Sequence, residues 1–191
     1  MRPYGRRPDR RPDRLCGLRT GRGAAPAALA CAPSAAAEGR EQTVKIAAGA
    51  DHGGYALKQA VVRRLRSQGH EVIDVGTDSG EASVDYPDFG HKVAAMVASG
   101  EVERGILMCG TGLGICMTAN RHAGVRAADC FTPYLAEMAR RHNDANVLCM
   151  GGRILSEDEA WAITEVWLAT PFEGGRHERR VERIELDEGG S

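Results

Sequence analysis

Residues 105–121, GILMCGTGLGICMTANR, join a thiol to a glycine-rich loop. An apolar run ends at Cys109, and glycines follow at Gly110, Gly112 and Gly114. Free backbone N–H groups in such a loop, leading into a helix N-terminus, bind an anion such as a phosphate or the oxyanion of an enediolate. The spacing is neither the dinucleotide-binding G-x-G-x-x-G nor a nucleotide P-loop with G-K-[ST]. A plain tight turn is the alternative interpretation.

Cys109 lies where the same positive field acts. A thiol near a helix N-terminus ionises more readily than a free thiol, and a thiolate held against a carbon acid takes its proton. The alternative is a buried cysteine that only packs at the end of a strand. The sequence shows no C-x-x-C spacing, which favours free thiols in a reducing, cytoplasmic compartment over a disulfide framework or a metal site. The five other cysteines, which strengthen the packing alternative, are Cys16, Cys31, Cys116, Cys130 and Cys149.

Histidines and arginines supply further candidates. His142 stands at a predicted helix end, and His52 follows Asp51; histidine titrates near neutrality and suits general acid–base chemistry. A solvated surface histidine is the alternative in both cases. Arg176 and Arg180 are four residues apart, so they share a helix face and suit a phosphate. Their alternative is a solvated helix whose arginines pair with neighbouring glutamates.

The elements that must position these residues alternate between strand and helix. The runs VKIAAGA, HEVIDVG, GILMC, VRAADC and NVLCMGG predict five strands. Amphipathic segments between them predict helices, one of which has Ser156 as N-cap and Glu159 at the capping-box position. This alternation predicts an α/β fold, a three-layer αβα Rossmann-like domain with a five-stranded parallel sheet.

Ligands bind such sheets beyond the carboxyl ends of the strands. We therefore expect the polar residues near the strand ends to gather on one rim of the sheet. Those at or directly after the ends of strands one, three, four and five are Asp51 and His52, Cys109, Asp129 and Cys130, and Arg153. Asp85 and Tyr86 come slightly further on after strand two, and His142 and Asn143 come just before the last strand.

Charge divides the chain into two parts. Residues 1–40 contain nine arginines and three acidic residues, and residues 1–42 are predicted to be a disordered Arg/Ala/Pro-rich extension. This extension is either a dispensable tail or an organellar targeting segment. Residues 41–191 contain 16 basic and 23 acidic residues, which argues against nucleic acid as the partner. No apolar run approaches the roughly 18 residues of a membrane span.

Six motifs together resemble the type B ribose-5-phosphate isomerases in order and spacing over residues 44–185. They are GADHGGYALK, DYPD, CGTGLG, HNDANVL, GGR and FEGGRHERRV. The resemblance implies a sugar-phosphate isomerase domain over residues 43–188. It also implies an enzyme of the pentose phosphate pathway that interconverts ribose 5-phosphate and ribulose 5-phosphate through an enediolate, without metal or organic cofactor. Alternatives are an isomerase of allose 6-phosphate, galactose 6-phosphate or a tetrose phosphate, or a non-catalytic sugar-phosphate sensor.

The resemblance also implies roles for individual residues. Cys109 matches the catalytic base, and His142 matches the acid that opens the sugar ring. Thr111 matches a catalytic and substrate-binding position in the loop that holds the enediolate. Because the family shares its site between subunits, a homodimer or homotetramer is expected. The other positions that match substrate-binding residues are Asp51, His52, Gly110, Gly112, Leu113, Gly114, Asn143, Arg153, Arg176 and Arg180.

Overall fold

Five short apolar strands pair in parallel in a computed structural model of the protein, which describes residues 43–185. Their order across the sheet is β2-β1-β3-β5-β4, and every neighbouring pair is parallel. The predicted five-stranded parallel sheet is confirmed, whereas the predicted extension, residues 1–42, lies outside the described residues. The strands are β1 (Lys45–Ala50), β2 (Glu71–Asp74), β3 (Arg104–Cys109), β4 (Ala127–Asp129) and β5 (Val147–Gly151).

Helices cover both faces of the sheet, as predicted. Helices α1, α4 and α5 pack on one face, and α2 and α3 pack on the other. None of the described helices is long and apolar enough to cross a membrane. The helices are α1 (Tyr55–Ser67), α2 (Tyr86–Ala98), α3 (Leu113–Ala119), α4 (Pro133–Asn143), α5 (Glu157–Ala169) and α6 (Glu178–Glu182), the last preceded by a 3₁₀ turn at Gly175–His177.

Local sequence explains where several helices begin and end. Ser156 and Glu159 form the predicted capping box at the start of α5, because each side chain accepts a hydrogen bond from the other residue's backbone N–H. Gly69, with φ +88°, follows the end of α1 in a conformation that suits glycine. Helix α2 begins at Tyr86, with Pro87 in its first turn.

Residues of β3 alternate between two apolar cores. Ile106 and Met108 face α1, α4 and α5, where the fully buried Trp167 also packs. Leu107 and Cys109 face α2 and α3. Both faces of the strand are therefore buried, which is why its sequence is continuously apolar rather than alternating. The alternation also places the Cys109 side chain on the side of α3.

Backbone contacts join the loops that follow β1, β3 and β5. A Cβ atom on Gly54 would lie 2.6 Å from the carbonyl of Met108, and one on Gly152 would lie 2.4 Å from the carbonyl oxygen of Gly53. A Cβ on Gly53 would come within 3.1 Å of the backbone nitrogen of Gly110. These four glycines, Gly53, Gly54, Gly110 and Gly152, are called the glycine junction below.

Substitution in the glycine junction should destabilise the fold through backbone overlap. We expect Gly152→Ala to lower the free energy of unfolding by about 3 kcal/mol, because the nearest atom is a backbone oxygen rather than a movable side chain. Gly100→Ala is the matched control, since Gly100 has φ +74° and open space around it, and should cost about 1 kcal/mol. Urea unfolding measures both, and equal costs would contradict the overlap argument.

Candidate active site

Cys109 ends β3 beside the glycine junction. Its Sγ atom is buried and accepts a hydrogen bond from the backbone N–H of Gly112 at 3.2 Å. Gly112 reaches this position with φ +84°, a left-handed conformation that favours glycine, and it immediately precedes α3. The loop therefore turns back over the thiol and aims a backbone donor at the sulfur.

The loop after Cys109 is held by neighbours on two sides. A Cβ on Gly114 would lie 2.7 Å from the ring of Tyr86, and a Cβ on Gly151 would lie 2.9 Å from the carbonyl of Thr111. Thr111 and Leu113 themselves are exposed. The sequence placed Tyr86 on the rim but not among the site residues, and the structure brings its ring directly to Gly114.

Arg153 supplies a cation beside the same loop. Its backbone N–H donates to the carbonyl of Gly110 at 3.0 Å, and the N–H of Gly152 donates to the carbonyl of Cys109 at 2.8 Å. The Nε atom of Arg153 lies 3.4 Å from the position that a Cβ on Gly110 would occupy. These two backbone hydrogen bonds fix the loop against the segment after β5, and the guanidinium group of Arg153 beside it is a cation that suits an anionic ligand.

Asp51 and His52 follow β1 at the same edge. The buried Asp51 carboxylate accepts a hydrogen bond from the N–H of Gly54 at 3.0 Å, and the Asp51 N–H donates to the carbonyl of Met108 at 3.2 Å. The Nδ1 atom of His52 accepts from the N–H of Val84 at 3.3 Å, which assigns the proton of the neutral ring to Nε2. These bonds orient both residues beside the Cys109 loop.

Asp129 is an unexpected neighbour of this loop. A Cβ on Gly112 would lie 2.1 Å from its Oδ1 atom. Neither carboxylate oxygen reaches solvent or has a hydrogen-bond partner among residues 43–185. Burial raises the pKa of Asp129 to about 6. The sequence placed Asp129 on the rim, but no local pattern indicated that its carboxyl would be buried without a partner.

The expectation of a single rim is wrong for His142 and Asn143. Both residues end α4, which runs antiparallel to the strands, so they lie at the amino edge of the sheet. The carbonyl of Asn146, just beyond them, accepts a hydrogen bond from Gly105 at the start of β3. At the usual rise per residue, the start of β5 lies roughly 13 Å along the strand from its end, where Cys109 is located.

His142 belongs to a polar cluster at the amino edge. Its ring stacks on the buried His177 with the ring centroids 4.2 Å apart, and its Nε2 atom lies 4.0 Å from a carboxylate oxygen of Glu173. Partial burial opposes the ionisation of Glu173, but the hydrogen bond and charge of Arg141 outweigh it and lower the pKa of Glu173. Arg176 donates from Nε to Nε2 of His177 at 3.1 Å, which adds a cation to the cluster.

The ligand atoms of His142, Glu173 and His177 lie within 4.8 Å of one another, so this cluster is the candidate for a metal site within the described residues. Imidazole binds a metal through a lone pair in the plane of its ring. The two rings are within 8° of parallel, so their lone pairs do not converge on one point. The arrangement fits a stacked histidine pair better than a metal centre.

The predicted site residues therefore form two groups in one chain. A cavity of about 570 Å³ opens beside the amino-edge group and is bordered by Asn143, Arg126 and Glu185. The carboxyl-edge group is Asp51, His52, Cys109, Gly110, Thr111, Gly112, Leu113, Gly114 and Arg153, and the amino-edge group is His142, Asn143, Arg176 and Arg180.

Comparison with known proteins identifies the family. The Ribose/Galactose Isomerase family model matches residues 46–184, so the chain belongs to that family and the resemblance found in the sequence is confirmed. Ribose-5-phosphate isomerase B of Escherichia coli is 51% identical over 140 residues, which cover 73% of this chain and 93% of that protein.

Two solved structures extend the comparison to the fold. The ribose-5-phosphate isomerase B of Clostridium thermocellum is 54% identical with a TM-score of 0.72 and covers 73% of this chain and 94% of its own. The Mycoplasma genitalium enzyme, solved with bound ribulose-5-phosphate, is 40% identical with a TM-score of 0.71 and covers 73% of this chain and 93% of its own. The three-layer α/β architecture is that of this family.

The pKa of Asp129 predicts how stability depends on pH. The folded-state pKa of about 6 exceeds the ordinary 3.8, so the folded protein binds the extra proton and loses stability as the pH rises from about 4 to 6. Asp129→Asn removes this loss. We expect the variant to exceed the wild type at pH 7.5 by roughly 1 kcal/mol, less than the full shift because nearby solvent screens the charge, and to show no gain at pH 4.

Urea unfolding at both pH values measures this difference. Glu101→Gln is the control, because it removes an exposed carboxylate and should leave the two stability values unchanged. An equal gain for Asp129→Asn at pH 4 and pH 7.5 would show that ionisation of Asp129 is not responsible.

Proposed function

We propose that this protein is an aldose–ketose isomerase that interconverts ribose 5-phosphate and ribulose 5-phosphate. The observation that carries the proposal is the thiol of Cys109 enclosed by a loop whose Gly112 N–H points at it, with Arg153 alongside. The similarity of the chain to ribose-5-phosphate isomerases B, one of them solved with bound ribulose-5-phosphate, supports this choice of substrate.

The carboxyl-edge group supplies the chemistry of proton transfer. Cys109 takes the proton from C2, beside the carbonyl carbon C1, and negative charge develops on O1 in the resulting enediolate, where the backbone N–H groups of the loop from Gly110 to Gly114 stabilise it. Cys109 then returns the proton to C1 while the proton of the C2 hydroxyl group passes to O1, so the carbonyl moves from C1 to C2 and no atom is lost. One such donor is worth about 3–4 kcal/mol in other enzymes. Thr111 lies in the same loop and contributes a hydroxyl group.

The amino-edge group supplies the remaining tasks from a second copy of the chain. His142 opens the sugar ring before isomerisation, while Arg176 and Arg180 hold the phosphate. Within one chain, Cys109 and His142 lie at opposite ends of β5, a strand that is roughly 13 Å long. This separation is farther than an open pentose phosphate reaches. A complete site therefore requires a homodimer, or a homotetramer built from such dimers, with shared sites.

Exposed apolar side chains around the carboxyl edge support association. They flank the Cys109 loop on α3, on the segment after β5 and at the start of α4. A monomeric surface rarely groups large apolar side chains in this way, and a second copy would cover them. The residues and their exposed fractions are Leu113 (51%), Met117 (67%), Ile154 (52%), Phe131 (40%) and Tyr134 (67%). The cytoplasmic location expected from the free thiols stays a prediction.

Turnover of ribose 5-phosphate tests the proposal. We expect the purified protein to form ribulose 5-phosphate in the presence of EDTA, and Cys109→Ser to lose at least about a thousandfold in kcat, because a hydroxyl group is a far weaker base at neutral pH. Cys130→Ser is the matched control, since Cys130 is buried in the other core. Full activity of Cys109→Ser would show that Cys109 only packs.

The same assay separates the alternative substrates. The family description includes galactose, so allose 6-phosphate, galactose 6-phosphate and a tetrose phosphate are assayed in parallel. A higher kcat/KM on any of these would reassign the substrate while retaining the chemistry. Binding of sugar phosphates without any turnover would identify a sensor.

Mixing two inactive variants tests the shared site. Cys109→Ser and His142→Asn should each be inactive, and equal amounts should regain activity after subunit exchange. Half of the dimers are then mixed, and each mixed dimer contains one site with both residues intact, so about a quarter of the wild-type activity returns. No recovery despite exchange, or a monomer in sedimentation at micromolar concentration, would contradict the shared site.

A further inference from the structure

Asp129 is a buried carboxyl group to which neither the fold nor the proposed mechanism assigns a task. It ends β4 and pairs in register with Cys149 of β5, so its side chain lies on the α3 face of the sheet. Both of its oxygens are out of solvent and without a hydrogen-bond partner among the described residues. An ionisable group in such a place lowers stability at neutral pH, and a functional role would explain why the chain keeps it.

Gly112 is the link between Asp129 and the active-site thiol. The N–H of Gly112 points at Sγ of Cys109 at 3.2 Å. On the other side of the same residue, Oδ1 of Asp129 lies 2.1 Å from the position that a Cβ would occupy. The bond lengths between these points place Oδ1 and Sγ no more than about 8 Å apart. Only a residue without a side chain fits between the two groups.

The ionisable groups packed around Asp129 are thiols. Cys116 faces it from α3, Cys149 from β5, and Cys130 follows it along the chain. Burial, and then the charge of Asp129, raise the pKa of Cys130 to about 12. Burial raises the pKa of Cys149 as well, with further contributions from Cys116, Asp129 and Cys130. A negative charge at Asp129 therefore opposes thiolate formation at Cys130 and Cys149.

We propose that Asp129 tunes the basicity of Cys109 through space, across Gly112. An ionised Asp129 opposes the negative charge of the thiolate, so fewer molecules hold the thiolate but each thiolate is a stronger base. The coupling is reciprocal, because a thiolate at Cys109 favours retention of the proton on Asp129. Asp129 does not contact the reacting carbon and acts only through Cys109. The catalytic meaning of this tuning rests on the proposed function, whereas the coupling between the two groups does not.

Titration of the thiolate measures the coupling directly. The ultraviolet absorbance of the Cys109 thiolate is followed against pH as the difference between each protein and the same protein carrying Cys109→Ser, which cancels the other thiols. We expect the midpoint of thiolate formation to fall by at least about one pH unit in Asp129→Asn, the shift for charges at the upper limit of about 8 Å and an effective dielectric constant of roughly 30.

Two further variants separate charge from packing. Asp129→Leu removes the charge with an apolar side chain and should shift the midpoint as far as Asp129→Asn does. Glu101→Gln removes an exposed carboxylate outside the site and should leave it unchanged. An unshifted midpoint in Asp129→Asn, or a shift in only one of the two Asp129 variants, would overturn the proposal.

The pH profile of kcat/KM for ribose 5-phosphate gives the catalytic readout. We expect the rise of kcat/KM with increasing pH, which follows formation of the thiolate, to move to lower pH by the same amount in both Asp129 variants. A shifted absorbance midpoint with an unshifted kinetic profile would retain the coupling and reject Cys109 as the base. An unshifted midpoint in an active isomerase would reject the coupling and leave the proposed function standing.

Discussion

Contact between backbones at the glycine junction is the constraint on which the carboxyl edge depends. The loops after β1, β3 and β5 approach so closely that the Cβ positions of Gly54 and Gly152 fall within 2.6 Å of neighbouring backbone atoms. Loops in such contact cannot shift independently, because no flexible side chain lies between them to absorb a displacement. The placement of Cys109, Arg153 and Asp51 relative to one another is therefore fixed by the fold itself.

Glycines near Cys109 thus serve separate physical purposes. Those of the junction allow close approach, and Gly112 supplies a left-handed turn that aims its N–H at the thiol. Gly112 also leaves room for the carboxyl group of Asp129. The anion-binding role proposed for the loop rests on this arrangement, and so does the enclosure of a thiol between a backbone donor and a buried acid.

Much of the fold could be predicted because its signals are local. The continuous apolar runs of β1, β3 and β5 reflect burial on both faces, and the Ser156 capping box follows from four adjacent residues. The edge strand β4 is only three residues long, shorter than its apolar run suggested, because it pairs with a neighbour on one side only. The single-rim expectation failed for His142 because a helix before a parallel strand ends at the opposite edge of the sheet. The burial of the Asp129 carboxyl group depends on its contact with Gly112. No local sequence pattern indicates this contact, because the two residues are distant in the sequence.

The glycine junction also has a consequence for how such a protein diversifies. Evolution changes substrate preference mainly by exchanging side chains, and the junction offers almost none to exchange. The variable contacts to a substrate must then come from side chains outside the junction, which include the exposed Thr111 and Leu113 of the Cys109 loop as well as the amino-edge group. If the sites are shared as proposed, a chain can also acquire a new preference by altering the surface that it presents to its neighbour, while its own proton-transfer machinery stays unchanged.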